Sequence, residues 1–342
     1  MHVLKMDVKY LDEFLASLGE FGTLYGPTRR DGVLTYERLD NIKELEITTE
    51  RPLIPVKKLF HPKRFDMFTY DGNGFTPNCS LFEKRVLIGV HPCDIHSLLK
   101  LDRLYLADPA DPYYKGLREC TAIVGFSCLP DENCLCKSTG TDIIEQGFDL
   151  FFVKLNGFYL VWVGSSLGHD MVLEKEEFFD SDVTPRDIQE YIDWREMRDG
   201  MFQKSFDFKN MPDVIELSYN SADWEYFGEK CLSCGQCSMV CPTCSCFHVH
   251  DIPDIGSENT GRRERMWDSC MFVDFSLVAG GHNFRKQRAD RLKLWYTHKL
   301  KTLGREYGNP GCVGCGRCLT NCPVDINVLT VSEALLSEGV PK

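Results

Sequence analysis

No run of apolar residues in this chain approaches the roughly 18 that a membrane span needs. The first ten residues mix charged and apolar side chains and lack the apolar core of a secretory signal. A cytoplasmic, reducing compartment is therefore expected, where disulfides are not. Basic residues are outnumbered: 39 Lys and Arg face 51 Asp and Glu, a net charge of −12. That balance argues against nucleic acid as a partner and favours solubility. No Gly-x-Gly-x-x-Gly follows a strand-like run and no Walker sequence occurs, so the chain shows no nicotinamide, flavin or ATP site. Gly-x-Ser-x-Gly and His-Glu-x-x-His are missing as well. Nowhere obvious is provided for a two-electron substrate to react. No low-complexity tract is present.

Cysteine, by contrast, is abundant, with 17 in 342 residues. Twice four cysteines fall in the spacing Cys-x2-Cys-x2-Cys-x3-Cys-Pro: Cys231, Cys234, Cys237 and Cys241 before Pro242, then Cys312, Cys315, Cys318 and Cys322 before Pro323. This doubled run is the signature of two [4Fe–4S] clusters, in which the fourth cysteine of each run serves the other cluster. Cys231, Cys234, Cys237 and Cys322 are thus expected to hold one cubane, and Cys312, Cys315, Cys318 and Cys241 its neighbour. Gly235 and Gly316 follow the second cysteine of each run, where a residue without a side chain lets the backbone wrap tightly. Structural zinc sites use pairs of cysteines parted by a spacer, which this pattern fits badly. Two one-electron centres held side by side make a segment of an electron path.

The length suggests two or three domains. Residues 1–183 read as an α/β domain, 184–220 as a helical linker and 221–342 as an α-helical ferredoxin domain with two [4Fe–4S] clusters. In the first, Leu11, Phe14, Leu15 and Leu18 recur at helical spacing up to Gly19, and Arg30-Asp31-Gly32 reads as a turn. Residues 52–64 read as irregular. The continuous apolar runs 85–90 (RVLIGV) and 121–126 (TAIVGF) predict buried parallel strands. Helical periodicity over 95–104 between them completes a β-α-β unit. Asn156-Gly157 predicts a hairpin between 148–155 and 159–163. Thr184 as cap, Pro185 at the first position and Asp187 three residues after the cap predict a helix running to about 206. The two cysteine runs lie too far apart for a small two-cluster ferredoxin. With 268–278 and 286–303 expected to be helical between them, an α-helical type is favoured.

Ligands of open parallel sheets bind outside the carboxyl ends of the strands. The first predicted strand runs into His91-Pro92-Cys93-Asp94, the second into Ser127-Cys128, with Cys134 and Cys136 just beyond. If the strands are neighbours, Cys93, Cys128, Cys134 and Cys136 converge on one rim. A third [4Fe–4S] cluster is expected there, preferred over zinc because the rest of the chain is iron–sulfur. Asp94 or His91 is an alternative to one thiolate. Cys79 and Cys120 lack cysteine partners at ligand spacing and read as packed thiols.

Cys244 and Cys246 follow the first run directly, and Cys270 lies in WDSC. Two readings stay open for these three: packing beside the clusters, or ligation of one more centre. His248 and His250 share a strand face and are left unassigned. Arg262, Arg263 and Arg265 read as a solvated basic face or a docking patch.

HPCDI at 91–95, SCLPDENCLC at 127–136, FDLFF at 148–152, CPTCSC at 241–246, RRERMWDSC at 262–270, VAGGHNFR at 278–285 and the second cysteine run together resemble a known family. It is the beta subunit of the cytosolic sulfhydrogenases, soluble [NiFe] hydrogenases of anaerobic archaea and bacteria. An iron–sulfur component of anaerobic sulfite reductase is similar, as is one of the flavin oxidoreductases paired with heterodisulfide reductase. The resemblance spans nearly the whole chain. It implies an electron-transfer subunit between a flavin-containing NAD(P)H oxidoreductase subunit and a second redox module, such as a hydrogenase. The alternative functions are an electron donor in a sulfite reductase or heterodisulfide reductase-type complex, or a chain carrying its own substrate-reducing iron–sulfur centre.

Overall fold

A computed structural model describes residues 2–257 and 259–337. In chain order the strands are β1 (His2–Asp7), β2 (Thr23–Arg30), β3 (Val33–Arg38), β4 (Arg64–Asp71), β5 (Gly74–Pro77), β6 (Arg85–Val90), β7 (Thr121–Phe126), β8 (Leu150–Lys154), β9 (Phe158–Val163), β10 (Phe179–Asp180), β11 (Phe247–Pro253) and β12 (Gly261–Trp267). Eight of them form one mixed sheet in the order β10-β1-β9-β8-β7-β6-β2-β3. The central pairs β2–β6, β6–β7 and β7–β8 are parallel, and the outer pairs are antiparallel.

The apolar runs become this sheet's centre because both of its faces are covered. Every residue of β6 and β7 is buried, and each Val, Leu or Ile there contributes about 2 kcal/mol through burial. The helix Pro92–Tyr105 crosses from β6 toward β7, with His91 as its cap and Pro92 in its first turn. β6 and β7 are neighbours in parallel register, so their carboxyl ends open on the same rim. The Asn156-Gly157 hairpin forms between β8 and β9. Thr184 and Asp187 close a reciprocal capping box on the helix Pro185–Gly200, which ends several residues before the expected point.

Two expectations for the C-terminal half are corrected. Residues 268–278 are not an α-helix but a loop with a short 3-10 turn at Val273–Ser276. The chain breaks at Phe272, whose backbone is extended (φ −76°, ψ 144°), and beyond it Phe275 and Leu277 donate to carbonyls three residues back, Phe272 O and Asp274 O, rather than four. The region between the cysteine runs also contains a β-hairpin that sequence reading missed. β11 and β12 pair there, and β12 pairs with β4, giving a four-stranded sheet β11-β12-β4-β5 built from both halves of the chain. The other expected helical stretch forms as Arg288–Tyr296, a π-helical stretch Thr297–Thr302 and Leu303–Tyr307.

A β-bulge between Arg263 and Glu264 splits the basic cluster. Arg262 and Arg263 pair with Asp66 and Asp251 near the surface, while Arg265 turns inward to Asp111. Only part of the cluster is therefore the solvated face expected of it. Among the described residues no helix is long and apolar enough to cross a membrane.

Candidate metal centre

The two cysteine runs follow the same backbone path. The residue two beyond the first cysteine is left-handed in each, Ser233 at φ 52° and Gly314 at φ 60°. The glycine after the second cysteine is left-handed too, Gly235 at 74° and Gly316 at 75°. This turn aims an amide at the first sulfur: Ser233 N–H donates to Cys231 Sγ at 3.4 Å, and Gly314 N–H to Cys312 Sγ at 3.3 Å. Ile326 N–H donates to Cys322 Sγ at 3.2 Å. Such donors favour the charged thiolate. Each glycine then caps a short helix, Gln236–Met239 and Arg317–Asn321, and the two helices pack together.

Cys231, Cys234, Cys237 and Cys322 line one pocket, with Cys318 also on its wall beside Leu292, Trp295, Tyr296 and Ile326. The fold thus brings Cys322 to the same pocket as the first three cysteines of the other run. On the far side, Cys241 stands against Cys312, Cys315 and Cys318. Burial pushes the thiols of Cys237 and Cys312 up to about 12, so these sulfurs need a metal or a cation to carry charge. Tyr296 is buried between the groups and faces Cys318, Cys237, Cys322 and Cys231.

The N-terminal four also meet. Cys136 faces Cys134, Cys93 and Cys128, and Cys93 faces Cys128 and, from the second cysteine run, Cys315. Cys93, Cys134, Cys136, Val313 and Cys315 form one buried cluster. The backbone joins them as well: Leu135 N–H donates to Gly314 O at 2.7 Å, and Thr141 Oγ1 to Val313 O at 2.7 Å. A Cβ on Gly314 would lie 2.4 Å from the Leu135 carbonyl, so only glycine permits this approach. Arg51 Nη1 donates to Cys134 Sγ at 2.9 Å, and Arg198 Nε to Cys128 O at 2.8 Å.

Asp94 is not free to replace a thiolate, because Arg317 occupies both its oxygens at 2.8 Å. His91 bonds Thr48 O through Nε2 at 3.0 Å, leaving a buried Nδ1 without a partner. Cys79 is exposed rather than packed, and half-buried Cys120 donates to Phe82 O at 3.7 Å. His248 and His250 stack on β11, their centroids 5.4 Å apart.

Sequence reading missed the cations around these sulfurs. Arg51, Arg198 and Arg317 line the N-terminal thiols, and Lys57 and Lys299 are buried beside Cys241 and Cys244. Nothing in local spacing marks them, since each lies far along the chain from the cysteine it faces. Among the described residues no three His, Cys, Asp or Glu side chains gather closely enough to hold one metal ion. Amides aimed at Cys231, Cys312 and Cys322 suit sulfurs that act as thiolate ligands.

Residues 230–326 match the family described as a 4Fe-4S dicluster domain, which supports at least two [4Fe–4S] clusters. A mixed α/β sheet joined to such a module defines an iron–sulfur electron-transfer subunit. The chain is 41% identical over 337 residues to sulfhydrogenase 2 subunit beta of Pyrococcus furiosus, covering 97% of this chain and 98% of that protein. It belongs to the sulfhydrogenase beta-subunit family. No solved structure matches it.

Proposed function

We propose that this chain is a cytoplasmic relay subunit carrying electrons between a flavin-containing NAD(P)H oxidoreductase subunit and a [NiFe] hydrogenase module. Cys231, Cys234, Cys237 and Cys322 are its ligands at one [4Fe–4S] centre, and Cys312, Cys315, Cys318 and Cys241 at the next. Cys93, Cys128, Cys134 and Cys136 are the ligands of a third. Bound there, the clusters would supply reversible one-electron chemistry.

One observation carries the reading of a continuous path: Cys315 is buried in the same cluster as Cys93, Cys134 and Cys136. The chain's own residues bury several of the sulfurs, aim amides at three of them and place buried cations beside them. Those are the means by which a protein sets the potential of such a centre. At one end of the path Cys234 is exposed, with exposed Leu232 lining the same pocket and exposed Phe272 against Gly235. An apolar collar around an exposed ligand suits the docking of a redox partner. At the other end, Cys128 lines an open groove with Phe126, Tyr159 and Trp194.

The test uses the purified full chain under anaerobic conditions. Alone, it should not transfer electrons from NAD(P)H to a viologen dye. With a flavin-containing partner, NAD(P)H should bleach its visible iron–sulfur absorbance. Reduction of the isolated chain by NAD(P)H, with stoichiometric flavin bound, would assign the oxidoreductase activity to this chain itself.

A further inference from the structure

Cys244, Cys246 and Cys270 are absorbed by none of the three groups above, yet the fold gathers them. Cys244 follows the first run and its thiol bonds that of Cys241. Cys246 sits at the foot of β11 and Cys270 in the loop after β12. Pairing of those strands brings the two thiols into hydrogen-bond contact, and Asp268 N–H donates to Cys246 O at 3.0 Å. Cys270 also faces Cys244 and Cys237. Cys244-x-Cys246 plus a distant cysteine repeats the arrangement of the N-terminal group, where Cys134-x-Cys136 is completed by Cys93 and Cys128.

Two further observations point to a ligand. The first is a pair of buried lysines. Lys57 and Lys299 are 2% and 3% exposed. Lys57 Nζ donates to Cys244 O at 2.9 Å and Ser238 O at 3.2 Å, and stands 4.2 Å over the Trp267 ring. Lys299 reaches Thr243 Oγ1 at 2.7 Å from the π-helical stretch, a distortion often found at functional sites. Among the described residues neither ammonium pairs with a carboxylate. Both face the sulfurs of Cys241, Cys244 and Cys246. Buried cations need anions, and the anions available here are thiolates.

The second observation is a buried imidazole. His61 is 2% exposed, its ring bonds the backbone of Cys246, and its Nε2 has no partner. A ring fixed through one nitrogen on a backbone group, with the other left open, is the usual posture of a metal-ligating histidine.

We propose that Cys244, Cys246, Cys270 and His61 hold an additional iron–sulfur centre, set beside the two clusters of the doubled run. Zinc also accepts three thiolates and one imidazole. Iron is preferred because these three cysteines lie within the stretch 230–326 that matches a 4Fe-4S dicluster domain. The proposal rests on the iron–sulfur reading above, so its test must separate the two.

Iron, sulfide and zinc are measured on the anaerobically purified full chain, on the triple variant Cys244→Ser, Cys246→Ser, Cys270→Ser, and on Cys79→Ser as control. The expected result is that the triple variant loses about four irons per chain and the control none. That difference is expected whatever the wild-type total. A chain with almost no iron in any form would instead sink the wider reading. An unchanged iron content in the triple variant overturns the proposal, and so does one zinc in place of the four irons. Should the triple variant fail to accumulate, His61→Ala keeps all three thiols and is read by EPR of the reduced protein. A changed signal from one cluster supports the site, and a spectrum identical to wild type overturns it.

Discussion

Asp94 accepts both terminal nitrogens of Arg317 at 2.8 Å, and both side chains are buried. Arg317 also donates from Nε to Pro52 O at 2.9 Å. Asp94 lies in the first turn of the helix after β6, where a carboxylate is favoured by the helix dipole. Arg317 lies between Cys315 and Cys318. The pair therefore fastens the N-terminal thiol group to the second cysteine run.

Removing one member of a buried ion pair leaves the other charged and unpaired. Arg317→Met should cost about 3–5 kcal/mol of stability. The double change Asp94→Leu, Arg317→Met should cost clearly less, because no buried charge remains. Anaerobic denaturation midpoints of both variants check this, and equal losses would count against it.

Gly314→Ala is expected to act at the same seam. The new Cβ would meet the Leu135 carbonyl, and φ 60° is strained for alanine by about 1–2 kcal/mol. The loop 133–136 should be pushed off the second run, seen as faster protease cleavage near it. Gly304→Ala, where a Cβ meets nothing closer than 3.7 Å, should be neutral.

The crossover of Cys322 can be read spectroscopically. Cys322→Ala should damage the centre held with Cys231, Cys234 and Cys237, whose pocket it lines. Loss confined to the signal of the Cys312, Cys315 and Cys318 centre would contradict this geometry.

The third cluster has its own subtraction test. The variant Cys93→Ser, Cys128→Ser should contain about four fewer irons per chain than wild type. Iron analysis showing no difference would leave these thiols as packing residues.

Lys299 tunes rather than ligates. Burial works against its charge, but the sulfurs of Cys241, Cys244 and Cys312 overcome this and hold its pKa above the usual lysine value. Replacing it by Met removes a positive charge that favours the reduced, more negative state of a cluster. The reduction potential of the Cys241–Cys312–Cys315–Cys318 centre should fall in a redox titration, and Lys299→Arg should largely restore it.

The local devices are legible in the order of residues alone. Continuous apolar runs mark β6 and β7, Asn156-Gly157 marks the β8–β9 turn, and Thr184, Pro185 and Asp187 mark the start of a helix. Each works because a few adjacent residues satisfy or withhold the same backbone hydrogen bonds. The cysteine spacing is legible for a similar reason: the left-handed residues after the first and second cysteines are built into each run. Residues 268–278 mislead because Phe272 takes an extended backbone, which interrupts the periodicity those residues carry.

What the sequence determined by itself was the doubled cysteine run, the parallel β-α-β core and the absence of a nucleotide fingerprint. Tertiary structure alone decided that β4 pairs with β12, that Cys315 joins Cys93, Cys134 and Cys136, and that Lys57, Lys299 and His61 surround Cys244 and Cys246. These partners lie tens to hundreds of residues apart in the chain. Their meeting follows from how sheets, loops and buried charges pack together, and no local spacing encodes it.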